Sequence, residues 1–229
     1  MMIAVQNISL WGDSIGKGVI YDEARGRYAI LRDNCVNLLS KKLDCRIENH
    51  AVMGMTALQG VERMADVHLH AGGTAVLEFG GNDCDMPWKE VSEAPAKNHQ
   101  PKATIPQFIE AMGTLVNRVR AAGMKPVLVT PPPLDAERYF EWVSRGLNAD
   151  AILDFLGDVQ HIYRWQERYA VAVRDVAAMT GCRLLDLRYD FLDVRSIKDY
   201  LCLDGIHPNA RGHELLAQAA ESRLSMALN

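Results

Sequence analysis

Short apolar runs that alternate with helically periodic stretches from one end to the other constrain this chain more than any single motif. Ile3 to Trp11, Cys45 to Asn49, Thr74 to Phe79, Pro126 to Thr130 and Cys182 to Leu187 read as strands, each brief and apolar enough for a buried parallel sheet. Between them, Ile105, Phe108, Ile109, Met112, Leu115, Val116 and Val119 share one helical face, with Thr104 before it as cap and Gly123 after it. Val159, Ile162, Tyr163, Tyr169, Ala170, Val173 and Ala177 repeat the pattern up to Gly181, and further helices are expected at about 27 to 43, 57 to 70 and 210 to 227. Strands separated by helices require right-handed parallel crossovers, so the expected class is α/β with three layers, α/β/α. The strand order is left open at this stage.

At 229 residues the length suits one domain, and residues 1–229 are read as such. Two long connections, Cys84 to Ala103 with Pro87, Pro95 and Pro101, and Pro131 to Asp158 with a helical pattern of its own, read as lids or binding walls. A formal charge of -4 argues against a basic nucleic-acid surface, and no nucleic-acid partner is expected. Five cysteines without a Cys-x-x-Cys pair form neither a disulfide framework nor a zinc ribbon, which points to a reducing compartment. No apolar stretch reaches membrane-spanning length, and Met1 to Asn7 lacks the pattern of a secretory signal, so a cytoplasmic location is expected.

In an open α/β sheet, ligands sit beyond the carboxyl ends of the strands. Four segments fall there: Gly12-Asp13-Ser14-Ile15-Gly16, then Asn49 to Gly54, then Gly80-Gly81-Asn82-Asp83, and finally Asp204-Gly205-Ile206-His207-Pro208 before the last helix. Each alone is ordinary turn or cap composition. Together they bring a hydroxyl, an amide and an Asp three residues before a His to one sheet edge, a set able to supply nucleophile, oxyanion donor, base and orienter.

These four blocks, in this order, resemble the SGNH (GDSL-type) hydrolase superfamily across nearly the whole chain. The resemblance implies a flavodoxin-like fold with a five-stranded parallel sheet. It also implies an esterase or lipase-like activity in which Ser14 is the nucleophile, His207 the base and Asp204 its orienter. Ser14, Gly54 and Asn82 would form the oxyanion hole. One departure lies in the second block, where many members carry Asn-x-Gly and this chain has Asn49-His50-Ala51, while Gly54 keeps its position. Neither a metal nor another cofactor is implied. The leading expectation is a serine ester hydrolase that acts through an acyl-enzyme on a small acyl ester or an O-acetylated carbohydrate. Acyl transfer by the same Ser/His site and a noncatalytic binding module are the alternatives.

Other readings of the same residues are weaker. Gly12-x-Ser14-x-Gly16 also matches the nucleophile elbow of α/β-hydrolases, but only one strand precedes it. A phosphate loop fails because three residues, not four, separate the glycines and Gly18 follows Lys17. His68 and His70 lack a third metal ligand and read as surface residues, while His50, His99, His161 and His213 have no evident catalytic partner. Asp13 and Asp83 read as helix caps or loop anchors, and Cys84 as a small buried side chain. Trp88, Tyr139, Phe140 and Trp142 are the candidate substrate-binding residues, with internal packing or a homo-oligomer contact as the competing roles.

Overall fold

A computed structural model describes residues 7–225, so positions 3–6 of the first expected strand and 226–227 of the last expected helix lie outside the described residues. Along the chain run β1 (Ile8–Gly12), α1 (Ser14–Lys17), β2 (Val19–Asp22), β3 (Arg27–Ile30), α2 (Cys35–Lys42), β4 (Ile47–Asn49), α3 (Ala57–Ala65) and β5 (Thr74–Glu78). Then follow α4 (Trp88–Glu93), α5 (Ile105–Ala121), β6 (Lys125–Val129), α6 (Ala136–Val143), α7 (Ala149–Leu156), α8 (His161–Thr180), β7 (Arg183–Leu185), α9 (Arg188–Leu192) and α10 (Ala210–Ser225).

Five strands form one sheet in the order β4-β1-β5-β6-β7, every neighbouring pair parallel. This is the doubly wound order in which the chain starts centrally, adds one strand on one side and the rest on the other. The crevice at that reversal opens beyond the carboxyl ends of β1 and β5. Alternation within the strands buries both faces: Leu77 and Leu128 join the cluster built with Phe108, Met112, Leu115 and Tyr169, while Val127 and Val129 join Leu216 and Ala220 across the sheet. The long connections carry α4, α6 and α7, whose Val91, Ala136 and Ile152 belong to a third apolar cluster.

The secure helix is where periodicity puts it. Gln107 Oε1 accepts the Thr104 N–H at 2.9 Å to open α5, and Gly123 leaves it at φ +72°. α8 likewise ends on Gly181, at φ +64°. α3 is shorter than the 57 to 70 expected and stops at Ala65, which leaves His68 and His70 exposed in the following loop.

One expectation fails. The stretch 27 to 43 is not a continuous helix: β2 and β3 pair antiparallel with Tyr21 opposite Tyr28, and α2 begins only at Cys35. Asn34 sets that boundary, its Oδ1 accepting the Val36 and Asn37 N–H groups at 3.1 Å each. Upstream, Val19, Ile20 and the two tyrosines suit a strand better than a helix, and Gly26 at φ +61° turns the hairpin.

α2 and α10 meet at His213, which is fully buried and accepts the Cys35 N–H on Nδ1 at 3.3 Å. Burial, reinforced by the His207 charge, lowers its pKa from 6.5 to about 4. The unfolded chain therefore binds more protons than the native one between these values, and stability must fall as the pH drops from 6.5 towards 4. About 3 kcal/mol separates the two ends of that window. Urea unfolding of the parent and of His213→Gln across it is expected to give a difference that shrinks with acidification; a constant difference would contradict the buried neutral imidazole. Among the described residues, no helix is long and apolar enough to cross a membrane.

Candidate functional site

β1 ends at Gly12, where a Cβ would lie 2.6 Å from the Glu78 carbonyl oxygen, so only glycine lets the two strand ends approach this closely. Asp13 then caps a single helical turn, its Oδ1 accepting the Ile15 N–H at 2.9 Å. Ser14 is the first residue of that turn, and Gly18 at φ +82° terminates it. The second block is tied to the same turn. Asn49 Nδ2 donates to the Gly16 carbonyl at 2.8 Å, Val52 N–H reaches Gly12 O at 3.0 Å, and His50 stacks on Trp11 with centroids 4.3 Å apart. Gly54 follows at φ +82°, so the Asn49-His50-Ala51 departure still delivers a glycine with the left-handed backbone to the crevice.

After β5 the chain is held by Asp83, which is buried and accepts Ala57 N–H at 2.8 Å and Gly80 N–H at 3.1 Å. Burial pushes its carboxyl up to about 7 against the pull of those two donors. The anchored loop presents Asn82, whose Nδ2 donates to Asp13 Oδ2 at 2.9 Å. Beneath this pair lies Glu78, also buried. Burial first, then the Asp13 charge, raises its carboxyl well above the usual range. Burial raises the Asp13 carboxyl as well, opposed by the Ile15 N–H, the His207 charge and the Asn82 amide. The contact with Asp13 Oδ2 turns the nitrogen end of the Asn82 amide toward it and leaves the second N–H of Nδ2 for a ligand.

The last block is a tight loop closed by Cys202 N–H to His207 O at 2.8 Å and Gly205 N–H to Cys202 O at 3.0 Å. Gly205 has φ +75°, and a Cβ there would meet Asp135 O and Tyr139 N at 2.7 Å each, so the loop docks on α6 without a side chain between. Asp204 Oδ1 accepts the Ile206 and His207 N–H groups, both at 3.1 Å. Its Oδ2 faces His207 Nδ1 at 2.6 Å, and His207 Nε2 lies 2.9 Å from Ser14 Oγ. The acceptor at Nδ1 selects the tautomer with its proton there, so Nε2 offers its lone pair to the serine hydroxyl. Burial alone would raise the Asp204 carboxyl, but the His207 hydrogen bond and charge, with the two backbone donors, hold it below its ordinary value. Ser14, His207 and Asp204 are 7%, 4% and 0% exposed, so bulk water does not compete for these bonds.

Ser14, Gly54, Asn82 and His207 all line one cavity of about 430 Å³. The two long connections supply much of its wall. Of the four aromatic residues expected there, Trp88 and Tyr139 line it. Trp88 Nε1 and Tyr139 Oη both donate to Asp85 Oδ1, at 2.9 and 2.7 Å, which fixes the rings. Phe140 and Trp142 do not line it. Phe140 packs into the third apolar cluster, and Trp142 lies against Tyr21, 4.7 Å between centroids. Tyr139 packs against that cluster too, and of the two it is Tyr139 that also reaches the cavity. Tyr28, Met53 and Trp165 line the cavity without having been singled out in the sequence. For Tyr28 the available signal was the Glu23 to Gly26 turn between two strand-prone runs. A second gap of about 430 Å³ lies across the sheet against α2 and α10 and touches neither Ser14 nor His207.

Known proteins share the family and the fold. The family model for the GDSL-like lipase/acylhydrolase family matches residues 10–215. No curated protein sequence matches significantly. Among solved structures, a lipase/acylhydrolase from Enterococcus faecalis is 20% identical, with 96% of each chain covered and a TM-score of 0.64. A carbohydrate acetylesterase family member from Sinorhizobium meliloti is 21% identical, covering 96% of this chain and 98% of its own, at TM-score 0.67. A catalytic mutant of an acetylxylan esterase from Geobacillus stearothermophilus is 18% identical over 98% and 96% of the two chains, at TM-score 0.64.

Proposed function

The chain belongs to the GDSL-like lipase/acylhydrolase family, and from that premise we propose that Ser14, His207 and Asp204 hydrolyse a small carboxylic ester through an acyl-enzyme. The observation that carries this reading is the unbroken line from Asp204 to His207 at 2.6 Å and on to Ser14 at 2.9 Å, opening on a cavity. His207 Nε2 takes the Ser14 proton as Oγ bonds to the ester carbonyl carbon, and the resulting imidazolium is stabilised by Asp204. The oxyanion of the tetrahedral intermediate is received by the backbone N–H groups of Ser14 and Gly54 and by Asn82 Nδ2. Collapse breaks the bond to the alcohol, which leaves with the proton from Nε2. Water then gives a proton to Nε2, attacks the acyl carbon and frees the acid, and the returned proton restores Ser14.

A short acyl ester or an O-acetylated carbohydrate is the substrate class we favour. Its support is the fixed Trp88 and Tyr139 rings, which line the same cavity as the serine, and the acetyl esterases among the structural neighbours. We assign this activity to residues 1–229 as one domain in the reducing cytoplasm, a reading supported by all five cysteines being free thiols.

Fluorophosphonate labelling followed by peptide mapping tests the assignment, with the adduct expected on Ser14 in a protein that hydrolyses a short aryl acetate. An adduct elsewhere would overturn it. Asn82→Ala is expected to lower kcat about 10²- to 10³-fold with little change in KM, because the lost donor is needed most where negative charge develops. An unchanged kcat would remove Asn82 from the oxyanion site.

A further inference from the structure

Two histidines line the same cavity as Ser14: His99, in the connection after α4, and His161, the first residue of α8. One ring nitrogen of each is anchored to a backbone carbonyl, His99 Nε2 to Ala94 O at 2.9 Å and His161 Nδ1 to Leu156 O at 2.7 Å. The rings are also held edge-on, His99 by Phe155 and His161 by Trp165, with centroids 5.5 and 6.2 Å apart. A carbonyl accepts, so the anchored nitrogens carry the protons, and in the neutral rings His99 Nδ1 and His161 Nε2 keep their lone pairs. Among the described residues, neither of these two nitrogens has a hydrogen-bond partner or is sealed from solvent.

The aromatic residues of the same cavity have no donors to spare. Trp88 and Tyr139 give theirs to Asp85, and Trp165 Nε1 donates to Cys84 O at 3.0 Å. What remains for a ligand is ring surface and two hydrogen-bond acceptors. The exposed amides of Asn98 and Gln100, joined by a 3.0 Å hydrogen bond, line the cavity as well and add polar groups. A hydrocarbon chain would cover the rings but leave both imidazole acceptors stripped of water and unpaired, which costs free energy. A sugar meets both demands, because its hydroxyls donate while the C–H faces of its ring are apolar.

Resting on the ester-hydrolase reading, we propose that His99 and His161 are specificity residues that accept hydrogen bonds from sugar hydroxyls, so that the alcohol part of the ester cleaved at Ser14 is a carbohydrate and not a lipid. Their role is to select and hold the alcohol part; the bond-breaking steps stay with Ser14, His207 and Asp204.

Two substitutions remove the free nitrogen and keep the anchored one. In His161→Asn the amide nitrogen stands where Nδ1 stood and still donates to Leu156 O, and in His99→Gln the amide nitrogen stands where Nε2 stood and still donates to Ala94 O. The parent, both variants and the double variant are assayed on a panel of mono-O-acetylated methyl pyranosides and on a short aryl acetate, which carries no free hydroxyl. Thermal midpoints and Ser14 labelling are measured alongside. Each single substitution is expected to lower kcat/KM on the best sugar ester about tenfold relative to the aryl acetate, the equivalent of one hydrogen bond, chiefly by raising KM. The double variant is expected to lose about a hundredfold on the same scale. Because the readout is a ratio of two esters, a partly unfolded variant does not imitate it. A ratio that stays within about twofold in the double variant, or a parent active on the aryl acetate and on none of the sugar esters, would overturn the proposal and leave the hydrolase reading standing. A parent that prefers a longer-chain aryl ester, with both substitutions altering that preference, would overturn it too and give the wall to an acyl chain. A parent neither labelled at Ser14 nor active on any ester would overturn the hydrolase reading itself.

Discussion

Ser14→Ala is expected to lower kcat on a short aryl ester by about 10⁵- to 10⁶-fold and to abolish fluorophosphonate labelling. Among the described residues, the hydrogen-bond partner of His207 Nε2 is the Ser14 hydroxyl at 2.9 Å, and the methyl of alanine can neither bond the carbonyl carbon nor surrender a proton. What survives is the stabilisation offered by Gly54, Asn82 and the remaining backbone donors, which acts on an attacking water that no base activates. The substitution removes one oxygen from a site only 7% exposed and introduces no bulk, so the fold and KM should persist. His207→Ala is expected to cost about as much, and the double variant scarcely more, since nucleophile and base act as one unit. Retention of more than about 1% of the parent rate by purified Ser14→Ala would refute the mechanism.

Asp204→Asn is expected to lower kcat about 10⁴-fold while leaving the chain folded. Asn retains an oxygen to accept the Ile206 and His207 N–H groups at 3.1 Å, so the loop keeps its shape. At the other oxygen position, however, an amide N–H would face Nδ1. The imidazole would then carry its proton on Nε2 and could no longer accept the one from Ser14. A backbone carbonyl in place of the acid would predict a much smaller loss, but the 2.6 Å contact between Asp204 Oδ2 and Nδ1 argues for full dependence on the carboxylate. A loss under about tenfold would show that the acid is dispensable. The same contact carries a pH signature in stability. Because the folded pKa of Asp204 lies below its ordinary value, its contribution is present above the unfolded carboxylate range and is lost as the pH falls through the lowered value. The stability gap between parent and Asp204→Asn should therefore close in acid.

Local pattern was most informative where neighbours in sequence are also neighbours in space. The buried faces of α5 and α8 followed from spacing, as did the strands at 74 to 79 and 126 to 130, because periods of 3.6 and 2 report burial directly. The expected helix from 27 to 43 overran at its start: Tyr28 and Ile30 repeat with the period of a strand, and Asn34 opens the helix only at Cys35. The strand form of β3 is favoured by pairing with β2 and by Tyr21 and Tyr28 packing on Trp142, more than 100 residues away. Phe140 and Trp142 are neighbours of Tyr139 in sequence, yet of the three Tyr139 reaches the cavity, while Phe140 packs in the apolar cluster and Trp142 against the hairpin.

The order of the five sheet strands, their parallel class and the chemical types in the four motif blocks were readable from residues 1–229 alone, since short-range spacing and turn chemistry encode them. The strand order β4-β1-β5-β6-β7, the approach of Ser14 to His207 across a separation of 193 residues, and the placing of the Tyr28 ring beside the His207 ring arose from long-range packing. Such contacts depend on which faces remain to be buried after the local elements form, a property of the whole chain's collapse that no window of neighbouring residues contains.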